Sequence, residues 1–158
     1  MSKSPSLLLV VDACVARAAG ESNHPVSSAC RTALNDMLCI CHRMAMTPEL
    51  QAEWNRHAGK YALKWRSAMT SRKKVVPVKP AALAKSDASG LGLAAKDQAA
   101  VDKDLHLVTA ACSGDGIILT HDSTFESLWG RCWGAFQPPR TIHWVNPVRD
   151  GADCVARL

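Results

Sequence analysis

The chain has 158 residues, of which 47% are hydrophobic and 21% are charged, and its formal net charge at pH 7 is +5. This length fits a single domain over residues 1–158, and this composition excludes a disordered chain. The longest apolar run near the N-terminus, Leu7 to Val11, is too short for a membrane span or a signal-peptide core. We therefore expect a cytoplasmic protein with no membrane partner.

The first third of the chain predicts a strand, a helix and a second strand. Residues 6–12 (SLLLVVD) form an apolar run that closes on an acid, which is typical of a strand buried in a parallel sheet. A helix capped by Ser27 or Ser28 should extend to about Cys39, and a short strand should cover residues 42–46. This part of the chain therefore already alternates between strand and helix.

A basic helical segment is predicted over residues 56–79. Thr47-Pro48-Glu49 is typical of a helix start, and the pattern pauses at Gly59 before it continues to about Arg72, as a helical hairpin or one bent helix. Nine cations and no Asp or Glu lie between Trp54 and Ser86. Such a patch either binds nucleic acid or is a solvated helix face. The RNA-binding candidates are Lys60, Lys64, Arg66, Arg72, Lys73 and Lys74.

The remaining elements complete an alternating pattern. A flexible loop is predicted over residues 79–96, with one helical turn near 81–85. A helix over 97–112, a strand over 117–120, a helix over 125–133 capped by Ser123 or Thr124, and a strand over 141–145 should follow. Strands that alternate with helices predict a three-layer α/β/α sandwich around a central, mainly parallel sheet.

Acidic residues at the ends of the predicted strands are the best indication of function. Asp12 and Asp122 each follow a strand, where sites form in parallel sheets, and Asp104 lies on the helix before the second of these strands. A strand-end Asp alone is more often a turn residue or a helix cap. Three carboxylates gathered together would repel one another unless a divalent cation neutralised them, and Mg²⁺ or Mn²⁺ prefers such oxygen ligands.

Three stretches resemble, in order, the signature blocks of PIN-domain nucleases. They are LLLVVDACV near the N-terminus, TPELQAEW in the first third, and KDLHLVTAACSGDGIILTHDSTF in the last third. In the last and most specific block, Asp104 and Asp122 lie 18 residues apart, joined by a helix, a Gly turn and a strand ending in Thr-x-Asp. The resemblance covers roughly two thirds of the chain and leaves residues 56–96 unmatched.

The resemblance implies a PIN-like fold, a Mg²⁺ or Mn²⁺ site, and cleavage of single-stranded or structured RNA. Many bacterial members of the family are toxins that an antitoxin neutralises. Residue by residue, it implies Asp12 as the first metal ligand, Glu53 as the helix acid, and Asp104 and Asp122 as the remaining pair. Glu49 competes with Glu53, which we prefer because an aromatic residue and a basic segment follow it.

The side chains around these acids are assigned by the same resemblance. Thr120 would orient Asp122 or a water molecule, and Ser123 and Thr124 are weaker candidates for that role. The family usually has a small hydroxyl or amide residue two positions after its first Asp, where this chain has Cys14, a weak hydrogen-bond donor. An RNA substrate is expected, and an antitoxin partner and a homodimer are left open.

Other interpretations fit parts of the pattern. A noncatalytic PIN-like module would bind RNA or a protein and keep the acids for folding. A phosphohydrolase with Asp12 as nucleophile would need an acid where Cys14 stands. Cys39-Ile40-Cys41-His42 lacks the second ligand pair that a structural zinc site requires, so these cysteines are expected to be core thiols. Trp54 and Trp65 are expected in the core, or in contact with RNA bases if exposed.

Overall fold

The computed structural model describes residues 5–84 and 92–158. Within these ranges one or two helices separate each strand from the next. The elements are, in order, β1 (Leu8–Val11), α1 (Ala13–Ala18), α2 (Pro25–Ile40), β2 (Arg43–Met46), α3 (Pro48–His57), α4 (Lys60–Ser71), β3 (Val75–Pro77), α5 (Ala95–Cys112), β4 (Ile117–Leu119), α6 (Ser123–Phe136) and β5 (His143–Val145).

These strands form one sheet in the order β3-β2-β1-β4-β5, and every neighbouring pair is parallel. The central strand β1 is buried along its whole length, because strands flank it on both sides and helices cover the sheet. Its register pairs Leu9 with Met44 of β2 and with Ile117 of β4. The predicted N-terminal strand and the parallel sheet are both confirmed.

The helices lie on both faces of the sheet. The chain moves from β1 through β2 to the edge strand β3, then crosses back to β4 and ends at the other edge, β5. Because crossovers between parallel strands are almost always right-handed, α1 to α4 pack on one face and α5 and α6 on the other. Contacts among α1, α2 and α4, and between α5 and α6, agree with this arrangement. The predicted three-layer α/β/α sandwich is confirmed.

Two elements were not predicted from the sequence. The helix α1 follows Asp12 at once and has six residues, too few to show an amphipathic repeat. The strand β3 lies inside the segment predicted as helical over residues 56–79. The helical part of that segment is two helices, α3 and α4, which separate at Ala58 and Gly59. The single bent helix is therefore wrong, because the chain forms two separate helices here.

The helix caps are only partly as predicted. Thr47 caps α3, since its Oγ1 accepts a hydrogen bond from the Leu50 N–H at 3.2 Å. The cap of α2 is His24, which precedes Pro25, so the predicted Ser27 or Ser28 cap is wrong. The cap of α6 is Asp122 itself and not Ser123 or Thr124. In each case the residue before the first helical one supplies the acceptor.

The predicted loop over residues 79–96 is described in part. Residues 79–84 form no helix or strand, so the helical turn predicted near 81–85 is not present in its described part. The Ala81 N–H donates to the Thr109 carbonyl oxygen at 3.0 Å, which ties this stretch to α5. Residues 85–91, the middle of the predicted loop, lie outside the described residues.

Two further observations concern the whole fold. Across residues 5–84 and 92–158, no helix combines the length and the apolar character that crossing a membrane requires. All seven cysteines are free thiols, and Cys30, Cys112, Cys132 and Cys154 are buried. Cys39 and Cys41 are exposed, which does not match the expectation that they are core thiols.

Candidate active site

The carboxyl ends of β1 and β4 meet where the path of the chain around the sheet reverses. In open α/β sheets the loops diverge at this switch point and leave a crevice between them. Asp12 follows β1 directly, and Asp122 follows β4 after Thr120 and His121. The two predicted strand-end acids therefore lie at the same crevice, because β1 and β4 are neighbours in the sheet.

Asp12 is held in one orientation by three hydrogen bonds. Its Oδ1 accepts from the backbone N–H of Cys14 at 3.4 Å, which makes Asp12 the N-cap of α1. Its Oδ2 accepts from the Thr120 hydroxyl at 2.8 Å and from the Cys14 thiol at 3.2 Å. A carboxylate has about four acceptor sites, so these bonds leave capacity for a further ligand.

Thr120 connects the two strand-end acids. Its buried hydroxyl donates to Asp12 and accepts from the backbone N–H of Asp122 at 3.1 Å. The Asp122 carboxylate is exposed, and its Oδ1 accepts from the Thr124 N–H at 2.9 Å, which caps α6. Thr120 therefore orients the Asp12 side chain and the Asp122 backbone, whereas the prediction was that it orients Asp122 or a water.

Cys14 contributes a neutral thiol. Burial, and after it the negative charge of Asp12, raises the pKa of Cys14 to about 12. The thiol is therefore protonated at neutral pH and donates to Asp12, which is the weak-donor role predicted for it. Ser123, predicted beside it, is exposed, and no hydrogen bond joins it to the four acids among the residues described.

The helix acid that lies at this crevice is Glu53. The next residue, Trp54, is buried, and its Nε1–H donates to the Val11 carbonyl oxygen at 2.9 Å, which fixes α3 beside the end of β1. Glu53 oxygens lie 3.4 Å from an Arg56 nitrogen and 3.5 Å from a His57 nitrogen. Glu49, one turn earlier, is exposed and does not line the crevice. The geometry therefore favours Glu53 over Glu49.

Asp104 approaches from the opposite face of the sheet, on α5. It is half-buried, and its pKa is raised above the usual value for Asp. Burial is the main cause, followed by the negative charge of Asp12 and, to a smaller extent, of Asp122, while Lys103 and His106 act in the other direction. Asp12 and Asp122 therefore already repel the Asp104 carboxylate in this arrangement.

All four predicted acids line one small cavity of about 190 Å³. Their neighbours in the wall include four basic side chains that were not predicted from the sequence. Helical spacing could have indicated one of them, because His57 follows Glu53 by one turn. The lining residues are Asp12, Ala13, Cys14, Arg17, Glu53, His57, Lys103, Asp104, His106 and Asp122.

The chemistry of these donors fits a hard divalent cation. Carboxylate oxygens are the ligands that Mg²⁺ and Mn²⁺ prefer, and a cation would offset the burial and the repulsion that raise the pKa of Asp104. In the part of the chain that the structure describes, no group of three His, Cys, Asp or Glu side chains is arranged so that it could hold a metal ion. Direct ligation by three acids therefore requires side-chain movement, although water molecules, several of which Mg²⁺ usually keeps, can span such gaps.

The cations predicted to bind RNA lie in different places. Lys60 and Lys64 are exposed at the start of α4, on the carboxyl edge of the sheet. Arg66 lies over the Trp54 ring at 5.8 Å from its centroid and donates to Asn55. The other three are at the far end of α4, before β3 and therefore at the amino edge. They are Arg72 and Lys73, which are exposed, and Lys74, whose Nζ donates to the Leu38 carbonyl oxygen at 2.8 Å.

Two further aspartates and the two tryptophans of the helical segment have structural surroundings. Asp97 pairs with Arg131 at 3.7 Å and does not line the cavity. Asp115 accepts from the Leu8 N–H at 2.6 Å and so fixes the start of β1. Trp54 and Trp65 are buried and stacked on each other, with ring centroids 5.8 Å apart. Neither indole is therefore exposed for contact with a base.

The chain matches no protein-family model, and it has no match among curated proteins. The likeness to PIN-domain nucleases therefore stays a prediction that depends on three sequence blocks.

Proposed function

We propose that this protein is a metal-dependent endoribonuclease with a PIN-like fold. It would hydrolyse RNA phosphodiester bonds with Mg²⁺ or Mn²⁺ held by Asp12, Asp104 and Asp122, and with Glu53 on the cavity wall. One observation carries the proposal. Acids from three sequence blocks that are far apart in the chain all line one cavity at the switch point of the sheet.

The side chains of the cavity suit this chemistry. A bound Mg²⁺ or Mn²⁺ would supply Lewis-acid stabilisation of the phosphate and a nucleophilic water at neutral pH. Thr120 and Cys14 hold the Asp12 carboxylate by hydrogen bonds, so its orientation is set before any ligand binds. Asp104 lies where its charge is disfavoured, and such a carboxylate gains most from a cation beside it.

The basic residues in the wall suit an anionic substrate. Arg17 and Lys103 are exposed where they line the cavity, so a phosphodiester that enters meets cations beside the acids. The toxin role, an antitoxin partner and a cytoplasmic location enter the proposal through the family resemblance and the sequence alone.

The first experiment asks whether the purified protein cuts RNA. Labelled RNA and DNA of the same sequence are incubated with the protein in Mn²⁺ or Mg²⁺, with EDTA as one control and Asp12→Asn as another. We expect metal-dependent cleavage of RNA by the wild type alone. Cleavage that persists unchanged in the Asp12→Asn protein would show that this cavity is not the active site.

A second candidate function is a noncatalytic PIN-like module that binds RNA or a protein. The observation that favours it is that three of the acids already have structural partners. Asp12 and Asp122 cap helices, and Glu53 lies beside Arg56 and His57. Titration calorimetry with MnCl₂ separates the two functions. Binding that is lost in Asp12→Asn supports the nuclease, and no heat of binding from a folded wild type supports the module.

A further inference from the structure

A second cavity adjoins the one that holds the four acids. It has a volume of about 470 Å³ and opens between the end of α1 and the start of α4. Arg17 lines both cavities, so they meet at this side chain. We call the second cavity the basic groove. Its wall includes Arg17, Glu21, Gly59, Lys60 and Lys64.

Three cations give the basic groove its charge. Arg17, Lys60 and Lys64 are all exposed, and none of them forms a salt bridge with another residue in the ranges 5–84 and 92–158. Lys60 and Lys64 are one helical turn apart, so their side chains project from the same face of α4. Glu21 is the single acid among the lining residues. The groove therefore suits a polyanion.

The turn between α3 and α4 fixes the walls of the basic groove relative to each other. The Gly59 N–H donates to the Ala16 carbonyl oxygen at 3.1 Å, which joins the start of α4 to α1. A Cβ at Gly59 would lie 3.7 Å from the backbone oxygens of Ala16 and Arg17. Gly59 and the first residues of α4 line the groove, and no side-chain hydrogen bond caps this helix, so its positive end faces the groove.

Position separates the groove cations from the other cations of the basic segment. α4 has twelve residues, so about 18 Å separates its start from its end. Arg72 and Lys73 follow its end, at the amino edge of the sheet, whereas the acids lie at the carboxyl edge. A larger cavity at the ends of β2 and β3 contains Arg66, but it shares no lining residue with the cavity of the acids.

We propose that the basic groove binds the RNA strand directly beside the phosphodiester that is cut. Arg17 contacts the phosphate at the junction of the two cavities, and Lys60 and Lys64 contact the next phosphates along the strand. The inference rests on the proposed nuclease function, and it names the surface that continues the substrate path. Because these contacts go to phosphates, they give affinity and register without reading the base sequence.

The test measures RNA binding without cleavage. Fluorescence anisotropy follows a labelled single-stranded RNA of about ten nucleotides, with Asp122→Asn as the background and EDTA present. Lys60→Ala/Lys64→Ala is compared with Arg72→Ala/Lys73→Ala, which also removes two exposed charges. We expect the first pair to raise Kd about tenfold and to lower the salt dependence by about 0.7 for each lost phosphate contact. Equal losses in both pairs would overturn the inference.

Kinetics in the active protein keep the two proposals distinguishable. If the wild type cuts RNA, the Lys60→Ala/Lys64→Ala variant should raise KM with little change in kcat, and an unchanged KM overturns the groove while the nuclease stands. If the wild type cuts nothing but binding still depends on these two lysines, the nuclease assignment fails and the groove remains an RNA site.

A competing peptide distinguishes RNA from an acidic protein partner. A polyglutamate peptide with the same number of charges as the RNA is titrated against the bound, labelled strand. We expect the peptide to compete only weakly with the RNA. In a separate comparison, Arg17→Lys should retain more RNA affinity than Arg17→Ala. A peptide that binds more tightly than RNA, and that loses this affinity in Lys60→Ala/Lys64→Ala, would make the groove a protein docking site instead.

Discussion

Two cavities open at the carboxyl edge of the same sheet, and they differ in both size and chemistry. The cavity at the ends of β2 and β3 has about 800 Å³, and Met46, Val75, Pro77 and Val78 give it an apolar wall. None of its described lining residues is acidic. The cavity at the ends of β1 and β4 has about 190 Å³ and contains four acids.

The difference follows from position in the sheet. The larger cavity lies beside the edge strand β3, where no further strand from the described residues covers the apolar side chains. The smaller cavity lies between the two inner strands at which the chain path reverses, where loops from both halves of the fold converge. The large volume of the first cavity therefore follows from its place at the edge of the sheet. The four acids lie together in the second cavity because loops from several elements converge there.

The largest contrast between the two cavities should appear when one polar side chain is changed in each. Asp122→Asn removes a charge but keeps an oxygen that can cap α6, so the fold is retained. We expect the rate of RNA cleavage to fall at least about a hundredfold. Gln51→Ala in the larger cavity should leave initial rates on labelled RNA unchanged. A comparable loss of rate in Gln51→Ala would contradict the assignment of the active site to the smaller cavity.

A smaller effect is expected from the hydroxyl that joins two of the acids. Thr120→Val removes one of the three donors to Asp12 and leaves the Asp122 N–H without the Thr120 acceptor. We expect a loss of about ten- to a hundredfold in cleavage rate and of about 1–2 kcal/mol in the free energy of unfolding.

Thr70 in the larger cavity provides the matched control for this threonine. Its hydroxyl bonds only within α4, to the Arg66 carbonyl oxygen, among the described residues. Thr70→Val should change the free energy of unfolding in urea by less than about 0.5 kcal/mol. Thr120→Ser keeps the hydroxyl and should recover most of the activity. Failure of Thr120→Ser to do so would mean that the methyl group matters and not the hydrogen bonds.

Two glutamates one turn apart on α3 give the next contrast. Glu53→Gln changes a side chain of the acid-lined cavity, and we expect about a tenfold loss in cleavage rate, because Glu53 is at the wall and not at the strand ends. Glu49→Gln changes an exposed side chain outside the cavity and should leave the rate unchanged. Single-turnover rates measure both, and the reverse order would reassign the helix acid to Glu49.

The smallest expected effect concerns stability. Burial and neighbouring acids raise the pKa of Asp104, so the folded state binds its proton more tightly than the unfolded state. This contribution to stability is complete below the pKa that Asp104 has in the unfolded state. It is lost as the pH rises through the higher pKa that Asp104 has in the folded state. At pH 7 in EDTA, Asp104→Asn should therefore increase the free energy of unfolding, by up to about 1 kcal/mol.

Urea denaturation at two pH values checks this sign. At about pH 3, below the ordinary pKa of Asp, both proteins are neutral at this position and the difference should disappear. Asp102→Asn is the matched control, since Asp102 is exposed on the same helix and does not line the cavity. A wild type that is more stable than Asp104→Asn at pH 7 would contradict the repulsion among the acids.

The sequence predicted the parts of the fold that leave a local pattern. The apolar runs gave β1 and β4, and Thr47 with Pro48 gave the start of α3. The strand β3 was missed because it has three residues, ends in Pro77 and follows four residues rich in cations. The short helix α1 was missed because its small residues show no periodicity.

The site was predictable as a set of residue types but not as a network. Asp12 and Thr120 are far apart in the chain, and their hydrogen bond exists only because β1 pairs with β4. No local sequence pattern predicts the order of strands in a sheet. Neither this bond nor the contact of Cys14 with Thr120 could therefore be predicted. The separation of Lys60 and Lys64 from Arg66 follows from helical periodicity and could have been derived from the sequence.

The pairing of β4 with β1 also determines when the cavity can exist during synthesis. Residues 5–77 contain β1, β2 and β3, three of the five strands of the sheet, and they are synthesised before α5 and β4. This part of the chain carries Asp12 and Glu53 but not Asp104, Thr120 or Asp122. A ribosome-bound chain therefore has no complete acidic cavity until β4 has emerged and docked. An enzyme that cuts RNA would thus be made next to its own messenger in an inactive form.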